Sequence, residues 1–248
     1  MRTGRVSVSA CCAVLALLLS SSSVGAAMAT MPLTWWTIDE YFNPVEVDSG
    51  WSVTYNTDVV EVAVDAVSLE DDYLLIQISK DFVYPPNPIT GRFPAIMVDF
   101  VQRLDDAATV SSIRIADESI TNLTGAVWTD FHWAVMNHGN AWFDVPASGD
   151  FGIQPAPHFQ TQIWSLVDGT TDRATGLTLV DGLVTKGSSY YPGVDDSDLV
   201  IHVDLSDPNP MSFTLKEYPT PEPGTMALLG IGLGILAVGG KRRGTVTV

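Results

Sequence analysis

Apolar and polar residues alternate with a period of two along much of the chain, and this alternation constrains the fold more than any other feature. Ile201, Val203 and Leu205 alternate with His202 and Asp204; Met211, Phe213 and Leu215 alternate with Ser212, Thr214 and Lys216. Successive strand residues point to opposite faces, so each run offers one face to a core and one to water. Further strand-like runs are 59–67, rich in β-branched residues, and 73–79, 95–102, 110–116, 128–135 and 161–167. Turn chemistry separates them at Asp48-Ser49-Gly50, Asp168-Gly169, Asp181-Gly182 and Pro208-Asn209-Pro210. Between Thr30 and Pro219 there is no helical pattern of ten or more residues and no repeat of fixed period. About ten strands at this spacing predict an all-β fold, an antiparallel β-sandwich of jelly-roll type.

Charge narrows the class of partner. The formal net charge is −17, and between Thr30 and Glu222 the chain carries 7 Lys and Arg against 29 Asp and Glu, an excess of 22 negative charges. Such a surface repels phosphate backbones and anionic lipid, so no nucleic acid is expected as a partner. The only cysteines, Cys11 and Cys12, fall in a segment expected to be removed. The mature chain is then expected to lack cysteine catalysis, cysteine metal sites and disulfides.

The two ends read as signals. Arg2 and Arg5 precede an apolar run from Ala10 to Leu19, and Ala27-Met28-Ala29 follows as a small-x-small site. This order predicts a secretory signal peptide over 1–29, cleaved after Ala29. Near the other end, Pro221-Glu222-Pro223 is followed by 15 apolar residues, Met226 to Gly240, and then by Lys241, Arg242 and Arg243. An ideal helix of that length covers roughly 22 Å, short of a ~30 Å hydrocarbon core, so it spans only with thinning or with snorkelling of the basic residues. Those residues sit where the positive-inside rule places the cytoplasm. The expected organisation is therefore a leader (1–29), an extracellular domain (30–217) and a terminal segment (218–248). The last holds a linker from Tyr218 to Pro223, a transmembrane helix over about 225–240 and a basic tail.

This order of Pro-Glu-Pro, apolar helix and basic cluster resembles the PEP-CTERM sorting signal of Gram-negative bacteria. The resemblance implies recognition by an exosortase, a membrane cysteine protease-transpeptidase, with cleavage near Pro221-Glu222-Pro223. It also implies a membrane-held form before processing, and delivery afterwards to the cell surface or an extracellular matrix. Unlike most such signals, Gly244-Thr245-Val246-Thr247-Val248 follows the basic cluster. An inner stretch from Asp117 to His132, of pattern DE.I.N.TG..W.DFH, is similar to a segment of other surface proteins with that C-terminal signal. It reads as strand, turn, strand, with Trp128, Asp130 and His132 on one face and Thr129, Phe131 and Trp133 on the other.

Residues for chemistry are sparse. There is no G-x-S-x-G, H-E-x-x-H, P-loop or dinucleotide fingerprint. His132, His138, His158 and His202 are read as scattered rather than as a zinc or copper site. Glu70-Asp71-Asp72 and Asp105-Asp106 read as charged hairpin turns. Ca²⁺ is the one candidate cofactor, at Asp195, Asp196 and Asp198, although the loop lacks EF-hand spacing. Tyr190-Tyr191 and Trp35-Trp36 are candidate platforms for stacking on sugar rings, while most of the seven tryptophans are expected in the core.

These features lead to the expectation of a non-enzymatic surface or matrix protein, structural or adhesive, with exopolysaccharide as a partner. The alternatives are a secreted carbohydrate-active enzyme, which needs paired carboxylates across a cleft, and a calcium-dependent lectin.

Overall fold

Trp51, Phe100 and Phe213 meet at one end of a continuous aromatic core, and Phe82, Trp128 and Phe131 meet further along it. Phe100 stacks on Phe213 at 4.8 Å, and Phe82 meets Trp128 and Phe131 edge-on at 5.2 and 5.5 Å. The computed structural model describes residues 26–136, 140–193, 197–206 and 210–221. Nearly all of the expected leader, the apolar segment 225–240, Lys241, Arg242, Arg243, Glu222 and Pro223 lie outside the described residues.

The elements are β1 (Met28–Ile38), β2 (Pro44–Asn56), β3 (Val60–Ser68), β4 (Tyr73–Phe82), β5 (Ile96–Gln102), β6 (Ser112–Asn122), β7 (Trp128–Met136), β8 (Ala141–Asp144), the short helix α1 (Val145–Ser148), β9 (Thr161–Leu166), β10 (Arg173–Val180), β11 (Ser189–Tyr190), β12 (Leu199–Val203) and β13 (Ser212–Pro221). The strands form one sheet in the order β1-β2-β5-β13-β7-β10-β8-β12-β6-β4-β3, with β11 on β6 and β9 on β10. The all-β expectation holds. All of these strands join one continuous hydrogen-bonded, mostly antiparallel sheet. It curls enough to bring Phe82 of β4 onto β7, although four strands stand between them in the order.

One pairing departs from the antiparallel expectation: β4 and β6 run parallel, from Tyr73↔Ser112 to Phe82↔Asn122. The chain leaves β4, crosses to place β5 between β2 and β13, and returns alongside β4 in the same direction. A parallel neighbour needs such a crossover. The turn after β6 explains the N.TG..W pattern. Buried Asn122 donates to the carbonyls of Ala126 and Val184 and accepts from the N–H and hydroxyl of Thr124. Thr124 accepts in turn from the Trp128 indole, and Gly125 supplies the left-handed turn residue at φ +84°. A register shift opposite Thr220/Pro221 follows. It turns Trp128 to the core side with Phe131 and Trp133, not to the side of Asp130 and His132 as simple alternation predicts.

The expected linker is also corrected. Tyr218 to Pro221 continue β13 against β7, with Pro219↔Phe131 and Pro221↔Trp128. The prolines are tolerated because β5 leaves β13 at Glu217, so one edge no longer needs their missing N–H groups. At that point the Lys80 ammonium of β4 donates to Glu217 of β13 at 2.6 Å, with both side chains buried. Burial pushes the Glu217 carboxyl up and the Lys80 ammonium down from their usual ranges, and each charge partly offsets the other's shift.

This pair makes the fold testable. Glu217→Leu leaves the Lys80 ammonium without its carboxylate and is expected to cost about 3–5 kcal/mol, whereas the Lys80→Met/Glu217→Leu double variant returns to within about 1 kcal/mol of the parent. Urea unfolding of the three proteins measures both effects. Equal midpoints for the parent and Glu217→Leu would show that the pair does not hold β4 to β13.

Candidate functional site

The hairpin of β1 and β2 extends past the body of the sheet. Its strands pair from Thr34↔Asp48 to Ile38↔Pro44, and both of its faces are exposed beyond Trp35. Two irregularities aim it outward. β1 shifts register between Pro32 and Thr34, and β2 turns at Gly50, where φ is +82°. A Cβ on Gly50 would collide with Thr109, so the close approach of the loop before β6 requires glycine there.

The base of the hairpin is clamped. Buried Ser49 donates to the Leu33 carbonyl at 2.7 Å. The Arg103 guanidinium grips both oxygens of Asp48 at 2.6 and 2.5 Å and donates to the Trp51 carbonyl at 3.2 Å. The tip is ordered by Asp39, whose carboxylate accepts the N–H groups of Tyr41 and Asn43, each at 2.8 Å. The Asn43 N–H is the main reason that the Asp39 carboxyl lies below its usual range. The tip therefore has a defined shape without burying its side chains.

The side chains that it displays are large and apolar. Trp36 is 60% exposed, Ile38 66%, Tyr41 74% and Phe42 88%. Phe42 also holds φ at +63°, a left-handed conformation that glycine or asparagine adopts at lower cost. A bulky aromatic with no packing partner in a strained position is the reverse of what stability favours. Flat, amphipathic rings held on a rigid arm can stack on the apolar faces of sugar rings. Trp35 and Trp36 were legible as a platform, but Tyr41 and Phe42 were missed. The available signal was the turn chemistry of Asp39 and Asn43 within WWTIDEYFNPV, which folds YF back beside WW.

The other expected sites are not brought together in this way. Tyr190 is fully buried rather than displayed. Its hydroxyl donates to the Gly152 carbonyl, its ring meets Phe159 at 5.3 Å, and burial pushes its phenol far above the usual range. Tyr191 is exposed. Asp195 and Asp196 lie outside the described residues, and Asp198 is half-buried just before β12. Among the described residues no three His, Cys, Asp or Glu side chains gather as a metal site. The turn carboxylates are engaged locally: Asp72 accepts from Ser111, and Asp105 from the Ala108 N–H. Ala27 and Ala29 sit at the start of β1, Ala27 bonded to Thr57 and Ala29 opposite Tyr55.

A cleft of about 480 Å³ lies on the outer face beside β13, lined by Arg92, Met97, His132, Lys216, Tyr218 and Thr220 among others. His132 stacks on Tyr218 at 4.6 Å and bonds Thr178 at 2.9 Å. His158 lies against Tyr190 and His202 against Trp142, so these histidines are in separate places, and His138 lies outside the described residues.

Comparison with known proteins adds one finding. Residues 219–243 match the family model of the PEP-CTERM protein-sorting motif. The chain thus carries an exosortase sorting signal, and its first three residues are the last three of β13. No curated protein and no solved structure matches the chain.

The two tyrosines are expected to differ. Tyr190→Phe leaves the Gly152 carbonyl unsatisfied and should cost about 1–3 kcal/mol, while Tyr191→Ala should stay within about 0.5 kcal/mol. Thermal unfolding checks this, and an undiminished melting temperature for Tyr190→Phe would contradict the buried placement.

Proposed function

We propose that this is an exported, exosortase-sorted protein of the cell surface or extracellular matrix, non-enzymatic, whose aromatic hairpin adheres to extracellular polysaccharide. The supporting observation is the placement of the hairpin relative to the start of β1 and the end of β13. β1, β2, β5 and β13 are successive antiparallel neighbours, so the start of β1 and the end of β13 lie at the same end of the sheet. The hairpin tip lies at the opposite end. A protein held at a membrane through the segment after Pro221 therefore points Trp36, Tyr41 and Phe42 away from that membrane. Stacking needs no charge, which suits a domain too acidic to attract a polyanion by its overall field.

Two experiments test this reading. Trp36→Ala and Tyr41→Ala should leave stability within about 0.5 kcal/mol and weaken binding to the producing cell's own polysaccharide at least about tenfold, or about 1.4 kcal/mol. Phe42→Gly should raise stability by up to about 1 kcal/mol while also weakening binding. Unchanged binding in all three variants would remove the adhesive role from the hairpin. Separately, replacing Pro221, Glu222 and Pro223 with alanine should leave an unprocessed form in the membrane fraction, and normal processing of that variant would contradict exosortase sorting.

A further inference from the structure

The domain is poor in cations, and two of them border the same cleft. Of the seven Lys and Arg residues between Thr30 and Glu222, Lys80 is buried on Glu217 and Arg103 grips Asp48. Arg114 and Arg173 lie over the rings of Tyr73 and Trp142, at 4.7 and 4.2 Å, and Lys186 is exposed in the turn before β11. The remaining two, Arg92 and Lys216, border the cleft of about 480 Å³ beside β13, together with His132. No Asp or Glu lines that cleft, although acids outnumber bases 29 to 7 in this part of the chain. Asp99 and Asp130, on neighbouring strands, face other groups: Asp99 accepts from Thr214 at 2.5 Å, and Asp130 lies 3.7 Å from His132 Nε2. Among the described residues, neither Arg92 nor Lys216 pairs with a carboxylate.

The fold holds these groups in place. Leu215, Glu217 and Pro219 face the core, so Lys216, Tyr218 and Thr220 face outward. β7 sets His132 opposite Tyr218; the two rings stack at 4.6 Å, and His132 Nδ1 bonds Thr178 at 2.9 Å. The Lys216 ammonium lies 4.8 Å from the centre of the same Tyr218 ring, a cation–π contact that positions it without cancelling its charge. Arg92 comes from the loop between β4 and β5. The Asn87 N–H donates to the Arg92 carbonyl at 2.8 Å, and the Asn87 side chain accepts from the N–H groups of Ile89 and Thr90. Phe93, buried against Trp128, anchors the residue that follows.

We propose that this cleft binds the carboxylate of an acidic sugar unit, a uronate, within the extracellular polysaccharide. The proposal rests on the reading that the protein adheres to polysaccharide, and it adds a second site to the hairpin. The Arg92 guanidinium fork and the Lys216 ammonium supply the charge-assisted donors that suit a carboxylate. Tyr218 and Thr220 bring hydroxyls to the same walls and Met97 an apolar side chain, so a sugar ring finds both polar partners and an apolar surface. The volume falls in the range of small-ligand clefts. The acidic surface around the cleft repels a densely charged polyanion, but in physiological salt that repulsion reaches only about 8 Å. The cleft therefore favours uronates spaced along a mostly neutral chain. Lys216, Tyr218 and Thr220 belong to the last part of β13, away from the hairpin tip, so the two sites lie toward opposite ends of the sheet. One domain can then hold polysaccharide at both.

The experiment is calorimetric titration of the full chain, in mild detergent, with disaccharides that carry glucuronate, galacturonate or mannuronate on a neutral hexose, and with their methyl esters. At least one acid is expected to bind about tenfold or more tighter than its ester, which keeps the ring and loses the charge. Arg92→Gln and Lys216→Gln should each weaken the acid at least about fivefold and leave the ester unchanged, whereas Trp36→Ala should leave the acid unchanged. Arg92 is exposed, so Arg92→Gln is expected to melt with the parent. Binding of none of the acids, or equal binding of acid and ester, overturns the proposal. Parental affinity in both cleft variants also overturns it, and a loss in Trp36→Ala then places the acid on the hairpin. Displacement by an equal concentration of sulfate or inorganic phosphate shows a general anion site and overturns the sugar assignment. The polysaccharide reading fails by a different result: no binding of the parent to the producing cell's own polysaccharide, even where a disaccharide binds the cleft.

Discussion

The 2.6 Å contact between Lys80 and Glu217 fixes the strand on which the rest of the molecule depends. Two charges buried in an aromatic core are costly, and their pairing is what makes the cost tolerable. The contact ties β4 to β13 across the curl of the sheet, and β13 in turn separates β5 from β7. With β13 held in this place, the chain can leave the body only at the end where β1 begins. The sorting signal then emerges from the sheet with no linker between them. A central strand thus serves both as core structure and as the entrance to the processed segment.

Strain and exposure point in the same direction at the other end of the sheet. Loop and turn positions with positive φ elsewhere are mostly glycines, such as Gly125 and Gly50, as steric economy dictates. Phe42 breaks that economy at the tip of a hairpin whose base is clamped by Arg103 and Ser49. A clamped arm ending in unpacked aromatic rings contributes little to folding, and the proposed adhesive role rests on that exposure. The direction of the arm follows from strand order alone, because four successive antiparallel neighbours place the tip opposite the start of β1 and the end of β13.

Much of this was legible in the sequence, and the rest was hidden for identifiable physical reasons. Strand-like runs located β3, β4, β5, β7, β9, β12 and the first part of β13; in β3, β4, β5 and most of β7 buried residues alternate with exposed or half-buried ones, which is the pattern that the sequence shows. β1 and the outer half of β2 escaped notice because a hairpin exposed on both faces has no alternation to read. Tyr218 to Pro221 looked like a linker because proline usually ends a strand. That cue fails where a neighbouring strand has already departed, as β5 has at Glu217. The face of Trp128 was misjudged because a bulge moves alternation by one residue and leaves no mark in the sequence. Tyr190 and Tyr191 look alike in sequence, yet one is buried against Gly152 and the other is exposed, a difference that only the packing reveals.

Adhesion through the hairpin requires that it point away from the membrane while the chain is still held there. The direct measurement is fluorescence quenching in vesicles containing the unprocessed full chain, with a fluorophore at Tyr41→Cys, Ser replacing Cys11 and Cys12, and a spin-labelled lipid headgroup as quencher. A strand of 11 residues spans about 35 Å, so the label is expected beyond the quencher's reach, unaffected by the labelled lipid. Strong quenching at Tyr41 would contradict it, because the aromatic tip would then lie on the bilayer rather than face the space outside the cell.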